Sequence, residues 1–520
     1  MSNFRLKPTV IFILLAFLAW VFAIGSTLRA NAQDSSYNYT VFLPLINAGS
    51  VTTPTPTPTS TTNPGVTVTP TPTPTQTATP PPEASKAFFV DNQYRTNSAA
   101  IQVDANGGMH IAYAYYQAAN DNAPTYGVYL YCPADCMNFD NWSGVGMGEL
   151  VSEMQLELTP NGKPRILYRS FGAANSNDFF YAACDDVCTN PTQWQIAWVA
   201  TNQGTAILEL HDDTLPQRYF ALDPNGNPRF VYIDYNYQAE PDHLGTYYAY
   251  CNNTCTQSAS WQEVRINQDN GNPFNYRYEK FTYPVLAFTP QGQPRVVADG
   301  VSLNDEFGLY YLACDNACNS TASWTSVPLA ERGSGPSVSY DLTFDGLGRP
   351  RVAFYQGALL GGLGDRLSYL WCNNSCLNPT NWQGKELGLG VNNGRGPALV
   401  LTANGLPRLV YARYDVNGIG YSWCNTNCES ATAVWQHQVV ETGMDVQDAW
   451  EVAFPPHCDA GFWDGMTPVL ALDGAGNPFV GYDAAYHARC WYNPDTGVWD
   501  PQPYFHLIWR VVRVNYFSQP

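Results

Sequence analysis

Beyond residue 24 the chain has no apolar run long enough to cross a bilayer, which takes about 20 such residues, so a multi-span helical membrane protein is excluded. Charge is scarce: Asp, Glu, Lys and Arg make up 13% of the residues, against 14% aromatics. Helical periodicity is missing past the N-terminal segment, which excludes a helix-rich fold. Positive charge is the scarcer sign, with 25 Lys and Arg against 44 Asp and Glu, for a formal charge of −19. Such a chain repels nucleic acid and anionic membrane surfaces, and favours cationic or neutral partners. No Gly-x-Ser-x-Gly elbow, His-Glu-x-x-His helix, phosphate loop or dinucleotide fingerprint occurs. His211, Asp212 and Asp213 form the one local cluster with metal-ligand chemistry, and a solvated loop is the simpler account of it. No cofactor is expected; Ca²⁺ is compatible with the acidity, but no motif indicates it.

The ends carry export and tethering features. Arg5 and Lys7 precede a charge-free apolar run from Val10 to Ile24, and Ala30-Asn31-Ala32 follows as a small-x-small site. This pattern predicts a signal peptide over 1–32, cleaved after Ala32. Cleavage removes Arg5, Lys7 and Arg29 and takes the charge to −22. Residues 33–85 form a linker, and 52–82 are almost entirely Thr and Pro. Proline fixes φ and removes donors, so about 30 residues in this conformation span roughly 90 Å as a semi-stiff stalk. The expected location is secreted or at the cell surface, with no membrane span after cleavage.

From residue 86 the chain repeats. A hairpin of apolar residues, a Gly-containing turn and a second apolar run recurs at Gly107, Gly162, Gly226, Gly292, Gly348, Gly405 and Gly476, at spacings of 55 to 71 residues. A second signature, Tyr-x-x-Cys-x-x-x-Cys then Trp, occurs six times, from Tyr129/Cys132/Cys136/Trp142 to Tyr421/Cys424/Cys428/Trp435. Each unit reads as four antiparallel strands, A to D. The turn glycine supplies a positive φ between A and B. Strand C ends at the first cysteine, and D starts near the tryptophan. One such sheet cannot bury both its faces, but seven stacked around an axis can. The expectation is therefore an all-β fold, a seven-bladed propeller of four-stranded antiparallel blades over 86–520. The repeated Tyr and Trp are then inter-blade packing. The seventh unit lacks the cysteine strand. Its C strand is placed at Phe505–Val512, and Ala87–Val90 is expected to supply the missing D strand and clasp the ring. Val498-Trp499 or the last residues are the rival.

Fourteen cysteines in an exported chain read as disulfides. The expected pairs are Cys132-Cys136, Cys184-Cys188, Cys251-Cys255, Cys314-Cys318, Cys372-Cys376, Cys424-Cys428 and Cys458-Cys490. Zinc needs four ligands at one place, which pairs on separate blades cannot give.

Units such as Asp223-Pro224-Asn225-Gly226-Asn227-Pro228-Arg229-Phe230-Val231-Tyr232, each followed by the Tyr-x-x-Cys and Trp pattern, resemble exported bacterial propellers of the sialidase (BNR) superfamily. The resemblance spans about 87–513 and implies the fold. No copy has an intact Asp box: Asn493 to Trp499 has the wrong first residue and too short a gap. No catalytic residue is carried over.

Arg165, Arg229, Arg295, Arg351 and Arg408 follow the turn proline in five units. A repeat of this kind favours pairing with the turn Asp or stacking between blades over a ring of axial anion ligands. Asymmetric loops point to function better. The long D-to-A and B-to-C connections carry Asp212, Asp213, Asp234, His243, Tyr278, Glu279, Trp450, Glu451, Trp463 and Asp464, all expected on one face. Aromatics beside carboxylates suit sugar stacking, and also a general acid and base. The reading from sequence is a non-catalytic binding or scaffold module for extracellular glycan or protein. A carbohydrate-active enzyme, hydrolase or lyase, is the alternative.

Overall fold

A computed structural model describes residues 86–519, apart from connections at 92–93, 117–124, 172–176, 203–217, 235–244, 267–279, 302–306, 332–337, 357–365, 391–392, 451–460 and 494–497. The expected signal peptide and stalk lie outside these residues. Seven four-stranded antiparallel sheets form the blades of a propeller. Blades one to six run from Arg95–Glu149, Val151–Asn202, Phe220–Arg265, Lys280–Glu331, Val338–Glu386 and Asn393–Glu441, each in the order A-B-C-D. The innermost strand of each blade packs on that of the next, and the A strand of blade seven packs on that of blade one, so the ring closes.

The B strands show why the sequence takes this form. Pro350–Gln356 and Pro407–Arg413 are buried at every position but the last. A strand covered on both faces needs an unbroken apolar run rather than alternation. The outer strand Trp382–Glu386 is half-buried or exposed throughout. The seven turn glycines all have φ between 72° and 87°, the region in which a Cβ is costly.

Blade seven is a composite. Its A, B and C strands are Gly461–Leu472, Pro478–Asn493 and Val498–Tyr516, and its D strand is Lys86–Phe89, paired from Lys86 with Tyr516 to Phe89 with Arg513. The N-terminal clasp is thus as expected. The C strand is longer than the expected Phe505–Val512, because Val498 and Trp499 pair with Asn493 and Tyr492 and extend it outward. A buried polar cluster locks the seam: Glu441 of blade six accepts hydrogen bonds from Arg513 Nε at 2.7 Å and Asn515 Nδ2 at 2.9 Å, and Tyr482 donates to it. The Arg513 guanidinium lies 4.3 Å over the Phe89 ring.

The repeated residues form the rim. All six Cys-x-x-x-Cys pairs are disulfides. Cys490 is also disulfide-bonded; Cys458, its expected partner, lies outside the described residues. The residue before each second cysteine (Asp135, Val187, Thr254, Ala317, Ser375, Asn427) has φ between 44° and 53°. The tryptophan Nε1 donates to the second cysteine's carbonyl in blades one to five, as from Trp261 to Cys255 at 2.8 Å. Each motif tyrosine then meets the next blade's tryptophan: Tyr129–Trp194, Tyr181–Trp261, Tyr248–Trp324, Tyr311–Trp382 and Tyr369–Trp435 have centroids 5.0 to 5.4 Å apart. At the seam, where the motif is missing, Phe517 replaces the tryptophan against Tyr421 at 5.2 Å.

The five repeated arginines belong to this rim. Each Nη1 donates to the preceding proline's carbonyl and to that of the first cysteine, as Arg351 does to Pro350 at 2.9 Å and Cys372 at 3.2 Å. Nη2 reaches the residue after the first cysteine: Asp185, Asn252, Asp315, Asn373 or Asn425. The expected turn aspartate takes part only where the turn has one, at Asp223 and Asp345.

Candidate active site

The ionisable groups that stand out lie beside the innermost strands. In five blades the A strand carries a register shift, between Asn97 and Ala100, Val151 and Glu153, Thr282 and Val285, Asn393 and Ala398, and Met466 and Val469. Such bulges re-aim side chains. Beside them is a cavity of about 320 Å³, lined by residues of six blades, with Gln102, Gln155, Glu157, Arg218, Tyr340 and Asp341 as its polar side chains and Pro397 and Pro468 among its apolar ones.

Three charged groups meet there. Asp341 is buried, and Arg218 Nη1 donates to its Oδ2 at 3.1 Å. The same oxygen accepts the Leu399 amide at 2.7 Å, and Oδ1 accepts that of Leu342 at 2.9 Å. Arg218 thus bridges blade three to blade five across the axis, and Leu399 joins from blade six. Burial pushes the Asp341 carboxyl up, while Arg218 and the two amides pull against it. Asp341 in turn raises the Arg218 guanidinium.

Glu157 is different. Its Oε2 accepts one long hydrogen bond, 3.4 Å from Gln102 Nε2, whose amide also donates to the Leu156 carbonyl at 3.2 Å. Burial and the negative charge of Asp341 outweigh the pull of Arg218 and lift Glu157 to about 7. The cavity therefore holds one carboxyl that exchanges its proton near neutrality and one fixed in an ion pair. Environments that separate two carboxyl groups in this way set up acid and base roles. On the same strand, burial also raises Glu153, which pairs with the buried Arg169 at 3.2 Å.

Of the residues singled out from sequence, Trp450, Trp463 and Asp464 are described with their side chains, and they lie away from this cavity. Trp463 and Asp464 are buried. Trp450 caps the helix Gly443–Ala449 and packs on Phe89 at 4.8 Å and Trp463 at 5.4 Å. This short helix, absent from the sequence reading, had a visible signature in the Thr442/Asp445 capping box. Asp234 ends a B strand opposite Gly245, and only its backbone is described. Asp212, Asp213, His243, Tyr278, Glu279 and Glu451 lie outside the described residues. Trp450, Trp463 and Asp464 do not line the axial cavity.

The axial groups had a signal that the sequence reading missed. Counted back from the turn glycine, Glu157 occupies the place of Ala221, Ala287, Thr343, Val400 and Ala471, and Asp341 that of Ala100, Val285, Ala398 and Val469. An ionisable residue on a strand covered on both faces is the anomaly to look for.

Among the described residues no group of three His, Cys, Asp or Glu side chains is placed to hold a metal ion, and no helix is long and apolar enough to cross a membrane.

No family model matches the sequence, and no curated protein matches it. Solved structures are similar to this chain at low identity. A protein of unknown function from Dyadobacter fermentans is 12% identical, covering 85% of this chain and 99% of its own, with a TM-score of 0.42. An α-L-arabinanase of Penicillium chrysogenum is 16% identical over 64% of this chain and 94% of its own, with a TM-score of 0.41. A polysaccharide lyase of family PL25, an ulvan lyase, is 11% identical over 75% and 91%, with a TM-score of 0.46. The reading as a non-catalytic binding or scaffold module is corrected here. An arabinanase and a polysaccharide lyase stand among the similar structures, and the axial cavity, lined mainly by small and apolar residues, also holds the ionisable Glu157, Arg218 and Asp341.

Proposed function

We propose that this protein is a carbohydrate-active enzyme, a glycoside hydrolase or lyase, working at the axial cavity. The observation that carries this reading is Glu157, a carboxyl poised near 7 beside the Arg218–Asp341 ion pair in one cavity. In hydrolysis, protonated Glu157 gives its proton to the leaving oxygen as the glycosidic bond breaks, the anion of Asp341 stabilises the positive charge developing on the sugar, and a water adds to the anomeric carbon and returns its proton to Glu157. In elimination, ionised Glu157 takes a proton from the sugar ring, Arg218 neutralises the charge that results, and the glycosidic oxygen leaves from the adjoining carbon as the double bond forms, taking a proton from water. The amides of Gln102 and Gln155 offer hydrogen bonds to sugar hydroxyls. The N-terminal apolar run and the Thr/Pro stalk suit a polymer substrate outside the cell, as does the resemblance to exported sialidase-type propellers.

The test is a polysaccharide panel, arabinan and ulvan included, read by reducing ends and by ultraviolet absorbance of unsaturated products. Glu157→Gln is expected to lower kcat about 10²- to 10⁴-fold without changing the thermal midpoint. The sign of the pH dependence separates the two chemistries: hydrolysis falls as pH rises through about 7, where Glu157 loses its proton, and elimination rises. Cleavage of a panel substrate at an unchanged rate by Glu157→Gln, or cleavage of none, overturns the reading.

A further inference from the structure

Blade one breaks the rim pattern at two facing positions. Where blades two to six have Arg165, Arg229, Arg295, Arg351 and Arg408, blade one has His110; where they have Asp or Asn after the first cysteine, it has Pro133. Both halves of the arginine clamp are gone together. The turn carboxylate remains. Asp104 Oδ1 accepts the amides of Asn106 and Gly108 at 2.8 Å, as Asp223 Oδ1 accepts those of Asn225 and Asn227 at 2.9 Å. In blade three the second oxygen, Asp223 Oδ2, holds the Arg229 guanidinium at 3.0 Å. In blade one, among the described residues, Asp104 Oδ2 meets the His110 Nε2, at 3.5 Å.

The space that a guanidinium fills elsewhere is open here. A cavity of about 580 Å³ lies between the turns of blades one and two, lined by Asp104, His110, Tyr129 and Tyr131 on one side and by Lys163 and Thr189 on the other. His110 is 3% exposed; its Nδ1 is fixed by the Tyr129 hydroxyl at 2.6 Å, and its Nε2 has no hydrogen-bond partner. Burial holds this imidazole below its usual range, against the pull of Asp104, so it is neutral at pH 7 and does not neutralise the carboxylate.

We propose that the cavity between blades one and two is a binding site for a guanidinium group carried by a ligand, the group that the chain itself supplies at this position in five other blades. Asp104 Oδ2 is its charged acceptor and the Tyr131 ring its stacking face. Lys163, on the opposite wall, favours a ligand that also carries a carboxylate. The site is independent of the axial cavity and of the function proposed there.

The probes are L-arginine, agmatine, which lacks the carboxylate, and L-citrulline, the neutral isostere, titrated calorimetrically into the full chain. Arginine is expected to bind more tightly than agmatine, and citrulline at least tenfold more weakly than either. His110→Arg with Pro133→Asn rebuilds the clamp seen in blades three, five and six. It is expected to abolish arginine binding without lowering the thermal midpoint. Should that variant fail to fold, Asp104→Asn keeps the turn acceptor, removes the charge and is expected to weaken binding at least tenfold. An arm with a short arginine-containing peptide separates a free ligand from a protein partner: binding comparable to free arginine points to a partner, and its absence to a small molecule. No binding of arginine or agmatine, equal binding of citrulline, or unchanged binding in the Asp104 variant overturns the proposal.

Discussion

The rim and the axis of this propeller are built on opposite rules. At the rim blades two to five spend the same residues on the same contacts: tyrosine on the neighbour's tryptophan, a short disulfide, and arginine on a cysteine carbonyl. At the axis the ionisable groups occur once each. Blade one offers Gln102, blade two Glu157, blade three Arg218 and blade five Asp341, while blades six and seven turn Pro397 and Pro468 inward. Repetition is what a ring of stacked sheets needs to close. A sugar of the kind proposed above has no sevenfold symmetry, so residues suited to recognise it would differ from blade to blade. Substitutions at the rim should therefore change stability and spare catalysis, and those at the axis the reverse.

The sharpest way to break this contrast is Arg351→Ala. Arg351 is fully buried and pairs with Asp345 at 3.1 Å and with Glu429. Removing one member of a buried pair costs about 3 to 5 kcal/mol. Arg408 makes the same carbonyl contacts, but its Nη2 meets the neutral Asn425. Arg408→Ala should therefore cost less, about 1 to 3 kcal/mol. Chemical denaturation gives both values, and kcat on a panel substrate should move in neither variant. A fall in kcat with Arg351→Ala would bring the rim into the chemistry and end the division.

The same division explains which parts the sequence disclosed. Rim residues are legible because they recur at fixed offsets, so blade number, strand order and six disulfides could be read before any coordinates. The clasp by Lys86–Phe89 was legible for a related reason: one unit was a strand short. The axial groups occur once each and are brought together only by closure. Arg218 and Asp341 are separated by 123 residues yet hydrogen-bonded, and no local spacing announces such a pair. The aromatic residues more conspicuous in the sequence, such as Trp450 and Trp463, pack at the seam, Trp450 on Phe89 and on Trp463.

A middle-sized test concerns the disulfides. Closing so short a loop removes about 2 kcal/mol of unfolded-state entropy in the chain-entropy treatment. Replacing Cys314 and Cys318 together by Ala should cost that much. The equivalent change at Cys251 and Cys255 should cost the same, because the two loops share their backbone and their tryptophan contact. Unequal costs would mean that the blades are less alike than the repeat implies.

The smallest effect runs the other way. Val187, before the second cysteine of blade two, has φ of 44° and is 59% exposed. A β-branched residue in the left-handed region is strained, and an L-residue there gives up about 1 to 2 kcal/mol relative to a conformation it prefers. Its side chain gains little from burial to offset this. Val187→Gly should therefore raise stability by about 1 kcal/mol, with the extra freedom of glycine in the unfolded chain holding the gain below the full strain. Asn427 holds the same place in blade six at φ of 53°, and asparagine tolerates that region well, so Asn427→Gly should change stability by much less. Thermal midpoints of the two variants compare strain at one site with tolerance at its equivalent. A repeat that fixes backbone shape more strictly than side-chain identity predicts a gain in blade two and almost none in blade six.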